Sequence, residues 1–104
     1  MTENDFRVKL IEFFESDECK VDGYSTVRIL EMINQNKDAI KLVKDFMNNP
    51  KPSGGFRALK AIKRLDLSLE AYILERPEVK DLFNDEEKSM ARFRLKEAKY
   101  LLKA

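Results

Sequence analysis

The chain has no histidine, no tryptophan and a single cysteine. Without histidine there is no Ser-His-Asp triad, no Cys-His pair and no imidazole metal ligand. One cysteine excludes an intramolecular disulfide, a zinc ribbon and a Cys-X-X-Cys redox pair, and leaves open a dimer bridged through Cys19. Cys19 follows Asp17 and Glu18, and acidic neighbours raise a thiol pKa, which argues against a nucleophile. Three glycines and three prolines are too few for the many turns of an all-β protein. Long apolar runs are missing as well. Ala71–Leu74 reaches four residues, where a bilayer span needs about 20. The opening MTENDFRVKL starts acidic and lacks the apolar stretch of a secretory signal. These absences predict a cytoplasmic protein with no membrane partner, no cofactor and no metal.

The 104 residues give room for one domain over 1–104, and 43% hydrophobic with 38% charged residues allows a core under a densely charged surface. The apolar spacing is helical almost throughout. A first helix is expected over Glu3–Glu15, capped by Thr2 with Asp5, with Phe6, Leu10, Phe13 and Phe14 on one stripe. Ser16–Gly23 reads as a loop. A second helix starts near Ser25, with Val27, Leu30 and Ile33 on one side. The polar Asn34-Gln35-Asn36 bends the chain, and Asn36 caps a third helix carrying Ala39, Ile40, Val43, Phe46 and Met47.

Asn48–Gly55 (NNPKPSGG) is the one strong breaker. A fourth helix follows from Gly55 to Leu65. Ser68 caps a fifth through Glu75, and Pro77 opens a short turn to Phe83, where its missing amide costs nothing. Asn84 and Glu87 form a capping-box pattern for a last helix reaching Leu102, with Ala91, Leu95, Ala98 and Leu102 inward and Met90, Phe93 and Leu101 widening the face. Tyr24, Tyr72 and Tyr100 are expected at core edges. The fold class is all-α, a compact single-domain bundle of about five or six short helices.

Net charge is only +1, but charge is segregated along the chain. Residues 49–64 hold five bases and no acid, residues 65–87 hold eight acids and two bases, and residues 88–104 hold six bases and one acid. One reading is internal: the acidic stretch lies beside the basic last helix, in exposed pairs each worth ~0–1 kcal/mol. The other is a surface that steers a charged partner.

The stretch of about 20 residues around Ala61–Tyr72 is similar in rhythm to the bacterial helix-turn-helix. It departs where Asp66 stands for the turn glycine and Ile62 for the tightly packed alanine. Its second helix would push Glu70 and Glu75 at phosphates. The better nucleic-acid candidate is the basic set Lys51, Arg57, Lys60, Lys63 and Arg64, with Arg57, Lys60 and Arg64 at i, i+3 and i+7, joined by Arg92, Lys96, Lys99 and Lys103 on the last helix. Ser53-Gly54-Gly55 places free amides at a helix start, where a phosphate fits, but lacks the Gly-Lys-Ser/Thr ending of a Walker loop. Asp17-Glu18 and Asp85-Glu86-Glu87 lack the alternating acids and glycine of a calcium loop.

Phe13, Phe14, Phe46 and Met47 give more apolar width than a surface helix needs: one reading is a thick core, the other a protein interface, with a partner or a second copy of the chain. The leading expectation is a non-catalytic regulatory or accessory protein that binds a protein partner, of the kind bacteria and phages use as inhibitors or adaptors. The alternative is a nucleic-acid-binding regulator working through the basic helix face. A site built of carboxylate and lysine, such as Glu70 with Lys99, is a more distant third.

Overall fold

Thr2 starts the first helix as the sequence predicts. Its hydroxyl accepts the Asp5 amide and the Asp5 carboxylate accepts the Thr2 amide, each at 3.1 Å. This reciprocal box satisfies amides that a helix start leaves unpaired. The computed structural model describes residues 1–100. Among them are seven α-helices and no strand: α1 Glu3–Glu15, α2 Val27–Gln35, α3 Ala39–Asn48, α4 Gly54–Ala61, α5 Leu69–Glu75, α6 Pro77–Lys80 and α7 Asp85–Glu97. Two single 3-10 turns, Asp17–Cys19 and Leu65–Leu67, complete the order. The helix beyond the expected six is the Pro77 turn, which closes as α6.

The bundle is organised around α5. Every residue from Leu69 to Leu74 is buried, with α7, α6 and the Leu65–Leu67 turn packed around it, while α3 bridges α1 and α7. Phe6, Leu10 and Phe14 bring the stripe of α1 into this core. Phe6 meets Tyr72 and Phe83 edge-on, with centroids 6.5 and 6.0 Å apart, the arrangement that aromatic quadrupoles favour. Tyr72 is therefore fully buried rather than at a core edge. The radius of gyration, 12.7 Å, matches the ~13 Å of a folded domain this long. No helix among the described residues is long and apolar enough to cross a membrane.

Two helices end on arginines that belong to other helices. Neither α2 nor α3 has a basic residue in its last turn. Arg7 of α1 instead donates to the Ile33 and Asn36 carbonyls at the end of α2. Its partner Glu3 accepts the Ala39 amide at 2.7 Å, at the start of α3. This one ion pair thus fills both ends of the 36–38 bend, matching the partial charges of the helix termini. Arg94 of α7 serves the end of α3 in the same way, donating to the carbonyls of Phe46 at 3.0 Å and Asn49.

Several boundaries differ from expectation. Asp38, not Asn36, caps α3 through the Lys41 amide. Val27 is 63% exposed instead of inward, because α2 begins at Val27 itself and turns that residue out. α4 stops at Ala61 and α7 at Glu97, each closed by a lysine in the left-handed region, Lys63 (φ 59°) and Lys99 (φ 60°). The Arg64 amide then reaches the Leu59 carbonyl at 2.8 Å, and the Tyr100 amide the Leu95 carbonyl at 2.9 Å. These are the long closing bonds of a Schellman motif, here with lysine where glycine is usual. The expected inward Leu102, with Leu101 and the base Lys103, lies outside the described residues.

Candidate functional site

A cleft of about 550 Å³, within the volume range of ligand sites, opens between α2 and α4. One wall carries Tyr24, Ser25, Arg28, Ile29 and Met32. The other is Ser53, Gly54, Gly55, Phe56, Arg57 and Ala58. Phe14 of α1, Phe46 of α3 and the first residues of α5 complete the lining. The local sequence explains both walls. The breaker at 49–52 ends α3, and the Ser53 hydroxyl accepts the Phe56 amide at 3.1 Å to start α4. Gly54 and Gly55 put no side chain into the lining, and the space beside them is open: a Cβ on Gly54 would meet nothing within 4 Å.

The cleft is apolar below and positive at its edge. Neither Arg28 nor Arg57 has an ion-pair partner among the described residues. The first turns of α2 and α4, which open towards it, contain no acidic residue to offset the positive end of either helix. Burial pushes the Tyr24 hydroxyl up to about 12, so Tyr24 is a neutral phenol at neutral pH. The one carboxylate in the lining, Glu70, is already engaged: it accepts Arg94 Nη1 at 3.0 Å, with both side chains 3% exposed. Burial pushes the Glu70 carboxyl above its ordinary value, against the opposing pull of Arg94.

The predicted interface residues divide. Phe14 and Met47 are core side chains, because the stripes of α1 and α3 face each other, and Phe14 also reaches the cleft lining. Phe13 is half-buried under the Arg76 guanidinium, 4.7 Å from its ring. Phe46 lines the cleft.

The predicted nucleic-acid set divides too. Lys51, Lys60, Lys63, Arg92, Lys96 and Lys99 are exposed, but of the whole set only Arg57 lines the cleft. The Arg57–Lys60–Arg64 face is broken: left-handed Lys63 ends the helical register, and Arg64 turns back to grip Asp66 at 3.1 and 3.2 Å. The helix-turn-helix resemblance fails on burial, since α5 is the core helix and presents no side to a groove. Glu70 is paired with Arg94, not with Lys99. Acidic α5 does pack on α7, whose bases follow an acidic first turn, through Glu70–Arg94, and just beyond α7 the Tyr100 hydroxyl donates to Glu75 at 3.0 Å.

Sequence reasoning missed Arg28, Tyr24 and Met32 as site residues. The available signal was Arg28 in the first turn of a helix, where a basic side chain opposes the helix dipole. Cys19 is buried, and burial raises its thiol pKa further. No group of three or more acidic or cysteine side chains that would hold a metal occurs among the described residues. No family model, no curated protein and no solved structure matches this chain.

Proposed function

We propose that this chain is a small non-catalytic module that binds a protein partner in the cleft between α2 and α4. The observation that carries the reading is the chemistry of the lining. Phe14, Tyr24, Phe46, Phe56, Met32 and the two arginines are the residue types enriched at protein interfaces. Lysine and aspartate, which interfaces disfavour, are absent from the lining, and the disfavoured types present are the small Ser25, Ser53, Ala58 and Ser68 and the already paired Glu70. A nucleic-acid surface would favour the lysines, and Lys51, Lys60 and Lys63 stand outside the cleft.

The test is selection of short displayed peptides on the immobilised full chain, repeated with Ala58→Trp, which fills the cleft from α4 without altering charge. Circular dichroism first establishes that the variant is folded. Peptide families that bind the parent and lose about tenfold or more in affinity for the variant support the reading. No enrichment over an unrelated immobilised protein, or binding indifferent to Ala58→Trp, overturns it.

A further inference from the structure

The cleft has a chemical preference that follows from its charge. We infer that its occupant is an acidic segment of a partner protein, with a carboxylate held between Arg28 and Arg57 and an adjacent apolar side chain seated on Met32, Phe46 and Phe56. The inference rests on the protein-binding reading and adds the identity of the segment.

Three observations converge on it. Arg28 of α2 and Arg57 of α4 both line the cleft, and neither is neutralised by an acidic neighbour among the described residues. Every other arginine has an assigned contact within the fold except Arg92. Arg7 closes α2, Arg64 grips Asp66, Arg76 lies over Phe13 and Tyr72, and Arg94 holds Glu70. The first turns of α2 and α4 add positive potential of the same sign and carry no acid. Beneath this edge the floor is aromatic and thioether. Such a surface accepts large apolar side chains and, through methionine, adapts to their shape. A planar guanidinium takes a carboxylate with two parallel bonds.

The alternatives fit less well. A basic or neutral segment would leave both arginines desolvated without a counter-charge, which costs free energy. Glu70 does not repel an incoming acid, because Arg94 matches its charge at 3.0 Å.

The experiment uses one peptide enriched on the full-length chain and its counterpart with each Asp changed to Asn and each Glu to Gln. Affinities are measured by fluorescence anisotropy against the parent, Arg28→Gln, Arg57→Gln and the double variant. Enriched peptides should be richer in Asp and Glu than the starting library. The neutral counterpart should bind the parent about tenfold more weakly, and that difference should vanish on the double variant. Arg57→Glu should recover affinity for a counterpart carrying Lys in place of the acid.

If the peptides lose affinity for Ala58→Trp but show no preference for acids, the acidic preference is wrong and the protein-binding reading survives. If no peptide binds in the cleft, both fall. Random duplex DNA that displaces the peptide at low salt would overturn the inference in favour of phosphate. Self-association released by the double arginine variant would overturn it in favour of a second copy.

Discussion

Arg94 and Glu70 meet at 3.0 Å where α7 crosses α5, and the same guanidinium holds the Phe46 carbonyl at the end of α3. One side chain therefore joins three helices. Its Nε is the one buried side-chain nitrogen or oxygen without a partner among the described residues, so the arrangement is nearly, not fully, satisfied. Ionic pairs this deep gain little over apolar packing, but losing one partner strands a charge.

Glu70→Ala and Arg94→Ala should each therefore lower unfolding free energy by about 3–5 kcal/mol. Glu70→Leu with Arg94→Met should lose markedly less than either single change. Urea denaturation of the four proteins checks this, and a double variant as weak as the sum of the singles would refute it.

Glu87 gives a pH prediction. Burial raises its carboxyl, but the Asn84 amide, Lys44 and Asn48, each at 2.9 Å, together bring it below the ordinary 4.5. A depressed folded-state value contributes stability that is present above 4.5 and lost as pH falls through the lowered value. Glu87→Gln should cost about 1–2 kcal/mol at neutral pH, and the gap to the parent should close in acid. Thermal melts across pH read this out, and a gap independent of pH contradicts it.

Lys63 and Lys99 occupy a backbone region that costs an L residue about 1–2 kcal/mol. Glycine removes that cost and gives back part of it as freedom in the unfolded chain. Lys63→Gly and Lys99→Gly should each stabilise by about 0.5–1 kcal/mol, raising the melting midpoint by a few degrees. An unchanged or lower midpoint would count against the left-handed assignment.

Gly23 lies at φ +89°, and a Cβ there would fall 2.9 Å from Ile62 Cγ2. Gly23→Ala should cost about 1–3 kcal/mol from strained backbone and crowding. Adding Ile62→Ala should relieve only the crowding. Denaturant midpoints of the single and double variants separate the two parts.

Local signals carried most of the fold. Thr2 with Asp5, Ser68, Pro77 and Asn84 with Glu87 each name their helix start, because a cap and its partner lie within a few residues. What local pattern does not carry is which neighbour a charge finds. Arg94 reads as one more base of a basic helix until α5 places Glu70 against it. Glycine is the usual sign of a helix stop, so Lys63 and Lys99 gave no warning, and α4 and α7 end sooner than their apolar spacing suggests. For the cleft, Phe46 and Arg57 were visible as candidates, each for a different reason. Their meeting with Arg28 and Tyr24 is a product of tertiary packing between segments far apart in sequence.

The complete enclosure of α5 also shapes how this chain can diverge. Lacking an outward position from Leu69 to Leu74, that helix has nowhere to absorb random replacements, whereas the rims of α2 and α4 do. Saturation libraries screened only for folding should leave 69–74 almost invariant, and variety should accumulate around the mouth, where a change of binding preference arises without loss of the scaffold.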